Sequence, residues 1–249
     1  MSLAKLKLPS PAKLAIIAAL EREVAGLVRG STPLKRTHAG RAFTFFEDAG
    51  RIIVCGGIGY EAARRAAEAA IAMYHPVVLQ SVGFAGALRP DLQVGDIFTP
   101  ATIIDARDGS RTEVAGGKGV LLTFMAVAGK QQKLSLALSY SAQAVDMEAA
   151  GVAAAALAHG IEFGAVKVIS DELDFEMPQT SRFIDPQGRF STGRFALFVS
   201  LRPWLWKRVA TLASNSRKAA KALAVHLKAA SNPVNHLDEA KTTWISSNR

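Results

Sequence analysis

Two carboxylates, Glu148 and Asp171, bracket a segment that carries little other polar chemistry. The segment reads AVDMEAAGVAAAALAHG and then IEFGAVKVISDE, a pattern that predicts one helix followed by one buried strand. Glu148 then lies at the start of the helix and Asp171 at the carboxyl end of the strand. Ligands bind at that edge of an open α/β sheet. The spacing therefore predicts two acids at one crevice, which is the arrangement that acid–base chemistry requires.

The elements that must position these acids alternate between strands and helices. The apolar runs KLAIIAAL, VVLQSVG and GDIFTPATII are typical of buried strands, and RAFTFFED with RIIVCGG predicts an antiparallel hairpin. Helices are predicted for EREVAGLVRG, for Tyr60 to Tyr74 and for Lys130 to Leu138, with a further strand at SAQAVDM. This order predicts an α/β fold in three layers, with a central mixed β-sheet flanked by helices.

A single domain is expected over residues 13–230, between a flexible leader over 1–12 and an irregular tail over 231–249. No apolar run has the length of a membrane span, and the basic start does not resemble a signal peptide. The single cysteine, Cys55, can form no internal disulfide, so we expect a cytoplasmic protein in which Cys55 has a packing role. Residues 174–193 form too long a loop for a connector, which indicates a lid, a binding loop or a disordered segment.

The positive charge of the chain is concentrated near its end. Residues 186–237 contain no Asp or Glu but nine Lys and Arg side chains, which equals the net charge of +9. Two helices are predicted there, from Arg194 to Leu201 and from Trp204 to Ala229. An amphipathic, basic helix that begins with Trp204 and Trp206 is typical of a contact with an anionic membrane surface. The alternative is a packed terminal helix with a solvated basic face.

Other ligand classes have no matching motif in the sequence. The five histidines form no metal-binding pair, so we expect no metal. GGIG lacks the dinucleotide-binding pattern, and no phosphate-binding loop of the ATPase type is present. The chain is basic, but no nucleic-acid readout motif accompanies the charge, so we expect no nucleic-acid partner.

Five motifs resemble the purine nucleoside phosphorylase superfamily, most closely its hydrolytic branch, the methylthioadenosine/S-adenosylhomocysteine nucleosidases. In order, they are AIIAALEREVAGL, VCGGIGYEAA, SVGFAGALRPDLQVGDI, AVDMEAAGVA and VKVISDE. They cover about two thirds of the chain, from Lys13 to Glu172. The resemblance implies cleavage of the N-glycosidic bond of a small nucleoside, in a homodimer that needs no cofactor.

The resemblance assigns a role to each of three carboxylates. Asp171 matches the general acid that protonates the purine's imidazole nitrogen, and we expect burial to raise its pKa. Glu148 matches the glutamate that accepts hydrogen bonds from both ribose hydroxyls. Glu23 matches the glutamate that orients and deprotonates the attacking water. The structural alternatives are a turn cap for Asp171, a dipole-favoured first-turn residue for Glu148 and a solvated helix face for Glu23.

Further substrate contacts follow from the same resemblance. Met147 is expected to pack under the sugar, Ile58 to line the sugar side and Ser170 to contact the substrate. Lys167 stands where the nucleosidases carry an arginine near the water. Phe124 is a candidate for stacking on the base, because TFMAVAG replaces the segment that stacks adenine in the family.

Hydrolysis and phosphorolysis are both compatible with this framework. Phosphorolytic members bind phosphate, their co-substrate, through arginines and a hydroxyl in the turn after the central strand. Here Ser81 occupies the arginine position and Phe84 the hydroxyl position. Phe84 cannot coordinate an anion, so the sequence favours water as the nucleophile.

The substrate is less sharply indicated than the reaction. The segments VDMEA, ISDELDFE, FIDPQGRF and LRPWLW resemble the hopanoid-associated phosphorylase branch, which is assigned to the removal of adenine from the lipid intermediate adenosylhopane. A third reading is a peripheral membrane protein that kept the fold without turnover. The presence of all three carboxylates argues against it.

Overall fold

A computed structural model describes residues 13–48, 50–178 and 180–230 of the chain. The predicted leader over 1–12 and the predicted tail over 231–249 lie outside the described residues. The described strands are β1 (Leu14–Ala18), β2 (Leu34–His38), β3 (Arg41–Asp48), β4 (Arg51–Cys55), β5 (Val78–Ala87), β6 (Ile97–Phe98), β7 (Thr102–Asp105), β8 (Arg111–Glu113), β9 (Val120–Thr123), β10 (Ala144–Asp146) and β11 (Glu162–Asp171). The described α-helices are α1 (Glu21–Val28), α2 (Tyr60–Tyr74), α3 (Lys130–Tyr140), α4 (Ala149–Ala158), α5 (Thr192–Ser200) and α6 (Pro203–Ala229).

The strands form one mixed sheet whose central member is β5. The main path runs β2-β3-β4-β1-β5-β10-β9-β7-β8, and β11 branches from it by pairing with β5 and β6. β5 is parallel to β1 and β11 and antiparallel to β10. The branch is possible because β5 is ten residues long. Its first half pairs with β1 and its last two residues pair with β10, while β11 pairs along its other edge. The predicted central mixed sheet is confirmed.

Alternation along the buried strands creates an apolar layer on each face of the sheet. Ala15 and Ile17 of β1 pack with the alanine-rich helices α2 and α4 on one face. Ile16 and Ala18 pack with α1 and α6 on the other face. The helices therefore flank the sheet on both sides, and the predicted three-layer α/β architecture is confirmed.

The apolar stripe of α6 faces the protein. Leu223 and Leu227 of this helix are buried in the same layer as Val24 and Leu27 of α1. The apolar side of this amphipathic helix therefore packs against the protein, and its Lys and Arg side chains are exposed. None of the described helices combines the length and the apolar character needed to cross a membrane.

Several predicted elements differ in their limits. The run GDIFTPATII is two strands, β6 and β7, because Pro100 interrupts it and has no amide hydrogen for a ladder. The helix predicted for Lys130 to Leu138 continues to Tyr140. Cys55 ends β4, where it is half-buried against the apolar layer, and burial raises the pKa of its thiol to about 12. This thiol is therefore a poor nucleophile at neutral pH.

Candidate active site

A cavity of about 350 Å³ opens where the carboxyl ends of β1, β10 and β11 meet the second half of β5. The volume lies in the range of small-molecule sites. Seven of the nine predicted site residues line it, namely Glu23, Ile58, Phe84, Met147, Glu148, Ser170 and Asp171. Lys167 and Phe124 are not among the lining residues. The sheet therefore gathers residues that are up to 148 positions apart in sequence (from Glu23 to Asp171) at one edge.

Glu23 lies in the first turn of α1 and is buried. Its Oε2 accepts hydrogen bonds from the backbone N–H groups of Ala19 at 3.2 Å and Leu20 at 3.3 Å. Its Oε1 has no hydrogen-bond donor among the described residues. Burial raises the pKa of Glu23 above the ordinary 4.5, although the positive charge of Lys167 opposes this. The carboxylate is thus held at one oxygen, free at the other and more basic than usual.

Glu148 immediately precedes the first residue of α4, at the helix start where the sequence predicts it. The backbone N–H of Gly59 donates to its Oε1 at 2.9 Å, and the backbone N–H of Met147 donates to its Oε2 at 3.2 Å. Each oxygen therefore keeps acceptor capacity for a further donor. Burial, followed by the nearby Asp146 carboxylate, raises the pKa of Glu148 to about 8. In its carboxylate form, Glu148 offers one acceptor oxygen to each of two adjacent hydroxyls.

Asp171 is the last residue of β11, as predicted, and both of its side-chain oxygens are engaged. The hydroxyl of Ser170 donates to Oδ1 at 2.7 Å. The ammonium of Lys133 donates to Oδ2 and forms an ion pair with it. Lys133 belongs to α3, and no motif in the sequence indicates its presence at this site. The carboxyl group is thereby fixed in orientation at the wall of the cavity.

Lys167 forms a buried polar cluster behind the cavity. Its ammonium contacts Asp146 Oδ2 at 2.8 Å and donates to the Ser81 hydroxyl at 2.9 Å. The remaining donors to Asp146 are the Thr123 hydroxyl, 2.7 Å from Oδ1, and the Ala149 backbone N–H, 2.8 Å from Oδ2. Asp146 and Ser81 hold the Lys167 ammonium within the protein, and its place beside the attacking water stays a prediction.

This cluster still influences the two glutamates. The positive charge of Lys167 lowers the pKa of both Glu23 and Glu148, against the larger effect of burial. Asp146 acts in the opposite direction on Glu148. Lys167 therefore influences the charge of the site without lining the cavity, whereas its partner Asp146 is one of the lining residues.

Phe124, the candidate for stacking on the base, is not among the residues that line the cavity. It follows the end of β9 and packs against an apolar group that includes Leu88, Ile104 and Leu122. The neighbouring residues 126–128 line the cavity in its place. These three lining residues are not aromatic, and stacking of Phe124 on the base stays a prediction.

Residues from 174–178 and 180–193 form part of the cavity wall. Within the described part of this segment, a 3₁₀ turn spans Ser181–Phe183, and Met177, Thr180, Ile184 and Phe190 line the cavity. Phe183 holds the segment to α5 through ring contacts with Phe195 and Phe198. The described part thus agrees with the binding-loop reading of this segment.

Two glycines of β5 allow the carboxylates to approach the sheet. A Cβ atom at Gly83 would lie 2.8 Å from Glu23 Oε2, and one at Gly86 would lie 2.9 Å from Asp171 Oδ2. Both distances are shorter than real contacts of a Cβ atom. Side chains at these positions would displace the acids.

Among the described residues, no group of three or more His, Cys, Asp or Glu side chains could hold a metal ion.

A model of the phosphorylase superfamily matches residues 13–133 and 120–194. The chain belongs to this superfamily. The matched ranges contain β1, β5, β10 and β11, and therefore every strand that borders the cavity. Comparison with curated protein sequences found no match.

Solved structures with the same fold include several nucleosidases. The Helicobacter pylori 5'-methylthioadenosine/S-adenosylhomocysteine nucleosidase has 18% identity and a TM-score of 0.65, with 89% of this chain and 97% of that chain covered. The Arabidopsis thaliana 5'-methylthioadenosine nucleosidase has 16% identity, a TM-score of 0.68 and coverages of 92% and 97%. Futalosine hydrolase of Helicobacter pylori has 17% identity, a TM-score of 0.64 and coverages of 89% and 96%. At these identities the likeness establishes the superfamily fold.

Proposed function

We propose that the protein is a nucleosidase that hydrolyses the N-glycosidic bond of an adenosine-containing nucleoside and releases adenine. The observation that carries the proposal is the meeting of Glu23, Glu148 and Asp171 at one cavity, each with different hydrogen-bond partners. Breaking this bond places positive charge on the sugar and negative charge on the departing base. The reaction therefore needs a base, a sugar holder and an acid, and the three carboxylates can divide these tasks.

Each role follows from the environment of the carboxylate. Glu148 accepts hydrogen bonds from the two ribose hydroxyls, one at each oxygen. Glu23 takes a proton from the attacking water through Oε1, the oxygen that no described donor occupies. Asp171 delivers a proton to the imidazole ring of the base as the bond to the sugar breaks. Met147 and Ile58 contact the sugar, and Ser170 holds Asp171 in place.

Water is favoured over phosphate as the nucleophile. The cations that line the described cavity are Arg22 and Lys133, and the ammonium of Lys133 already donates to Asp171 and to the Glu172 carbonyl oxygen. Phe84 presents an apolar ring where phosphorolytic relatives carry a hydroxyl. Phosphorolysis is the alternative reaction, with phosphate as co-substrate.

The cavity favours a substrate with a large apolar group, and adenosylhopane fits this chemistry. The outer wall carries Ile184, Phe190, Phe195 and Leu212. A second cavity of about 310 Å³ continues along α6, where Val209 and Arg217 also line it, and it shares with the first cavity the residues Arg22, Phe84, Phe195, Leu212 and Ser216. An apolar substituent on the sugar therefore has a lined path away from the carboxylates.

The reaction is tested by measuring free adenine from methylthioadenosine, adenosine and a lipid-linked adenosine, with and without phosphate. We expect release at the same rate in both conditions, with free sugar as the second product. Release of adenine only in the presence of phosphate, with a sugar phosphate as product, would establish the alternative reaction. Release from none of the three nucleosides would refute the proposal.

We further propose a peripheral membrane contact at the junction of α5 and α6. Leu197, Leu201, Trp204 and Trp206 are exposed there by 55–72%. The charged residues of this stretch of sequence are all basic, since residues 186–237 contain no acid, although Arg208 is paired with Glu176 at 3.6 Å. Exposed tryptophans beside cations suit an anionic bilayer surface. The contact is therefore assigned to this junction and not to the length of α6.

Vesicle binding of a Trp204→Ser, Trp206→Ser variant tests the contact. We expect the parent protein to sediment with phosphatidylserine-containing vesicles and the variant to lose most of this binding. The matched control is Leu157→Ser, because Leu157 is 78% exposed on α4. Equal binding by the Trp variant and the parent would exclude the junction as the membrane contact.

A cytoplasmic location and a homodimer remain part of the proposal. Helix α3 offers the exposed side chains of Leu134 and Leu138 for association between two copies of the chain.

A further inference from the structure

Lys133 is an unusual residue for the inside of a protein. Its side chain is only 1% exposed. Lysine is rarely buried unless it has a charged partner, and here the partner is Asp171. The ammonium donates to Asp171 Oδ2, to the Glu172 carbonyl oxygen at 2.6 Å and, more weakly, to the Asp171 carbonyl oxygen at 3.5 Å. All three donors of the ammonium are therefore directed at the end of β11.

A purely structural role does not account for this pair well. Buried ion pairs contribute little to stability compared with apolar residues of similar volume, because both charges lose their hydration. Lys133 also lines the cavity itself, beside the carboxyl group that the proposed reaction needs. Gly86 provides room for the Lys133 side chain, because a Cβ atom at position 86 would lie only 3.2 Å from the Lys133 Cε atom.

An ammonium in contact with a carboxylate holds a proton that can move between the two groups. With the proton on nitrogen, the pair is ammonium and carboxylate; with the proton on oxygen, it is amine and carboxylic acid. Only the second form lets Asp171 donate a proton to a base. The hydroxyl of Ser170 holds the other oxygen, Oδ1, so the carboxyl group keeps its orientation during the exchange.

We propose that Lys133 supplies the proton that Asp171 delivers to the leaving base, an inference that rests on the proposed nucleosidase function. A Lys133 N–H bond breaks and its proton passes to the Asp171 carboxyl group, which passes a proton to the imidazole nitrogen of the base. The bond between the sugar and the base breaks, and its electron pair stays with the base. The water oxygen bonds to the sugar carbon, and the water proton goes to Glu23. Solvent then returns a proton from Glu23 to Lys133.

Two substitutions distinguish a Lys133 that supplies a proton from a Lys133 that only holds the Asp171 carboxyl group in position. Lys133→Arg keeps a positive charge and N–H donors, but arginine does not give up its proton in proteins. Lys133→Gln keeps a hydrogen-bond donor without a charge. Lys130→Met, on the exposed side of the same helix, is the control. Circular dichroism and thermal melting establish that each variant folds.

The decisive readout compares two leaving groups. Adenine needs a proton to depart, whereas the nitrophenolate of p-nitrophenyl riboside does not. We expect both Lys133 variants to release adenine about 10²-fold more slowly or worse, and to release nitrophenolate at close to the parent rate. Adenine release at the parent rate by Lys133→Arg, or an equal loss with both leaving groups, would overturn the inference. A parent protein that cleaves neither compound would refute the proposed function and the inference with it.

Discussion

Replacement of Asp171 by asparagine should slow adenine release by about 10²–10⁴-fold, the range that one well-placed proton transfer contributes. Asparagine has nearly the same shape and can still accept a hydrogen bond from Ser170 or Lys133 through its oxygen. It cannot deliver a proton in the same way as a carboxylic acid. The loss should therefore appear in kcat, with a smaller change in KM.

The control for this substitution is Asp105→Asn. Asp105 is also a buried carboxylate paired with a cation, Arg107, but it lies on β7 and does not line the cavity. We expect this variant to keep the activity of the parent. Steady-state kinetics on both variants, with thermal melting as the test of folding, decides the matter. Full activity in Asp171→Asn would remove Asp171 from the mechanism.

The placement of the acids could be predicted because it depends on local patterns. An alanine-rich run before a Val/Ile-rich run fixes a helix and a strand, and their order places Glu148 and Asp171 at the same sheet edge. Burial of the strands follows from their continuous apolar sequence. Short strands were harder to predict: LKRTH, which forms β2, has Leu34 as its one strongly apolar residue and lies at an edge of the sheet.

The partners of the acids carry no comparable local signal. Lys133 occurs in KQQKLS, which has the appearance of a solvated helix face, and its carboxylate partner is 38 residues away. Asp146 is adjacent to the predicted residues, but only the sheet brings the Lys167 ammonium to it. Such contacts between distant segments depend on the assembled fold. The sequence therefore predicted the positions of the three carboxylates better than those of the cations that contact them or lie near them.

Replacement of Glu23 by glutamine should also slow hydrolysis by about 10²–10⁴-fold, because the amide cannot accept the proton of the attacking water. The hydrogen bonds from Ala19 and Leu20 can be kept by the amide oxygen, so the first turn of α1 should survive. Glu21→Gln is a closely matched control, since Glu21 lies two residues earlier in the same turn and is exposed.

The pH dependence should identify Glu23 more specifically than the rate alone. A base acts in its carboxylate form, and burial raises the pKa of Glu23 above 4.5. Parent activity should therefore fall with decreasing pH at values above the ordinary range of a glutamate. Glu148, whose pKa is raised to about 8, contributes a second ionisation on the same side of the profile. In Glu23→Gln, the residual activity should keep the Glu148 ionisation and lose that of Glu23. An unchanged profile in this variant would show that another group accepts the proton of the water.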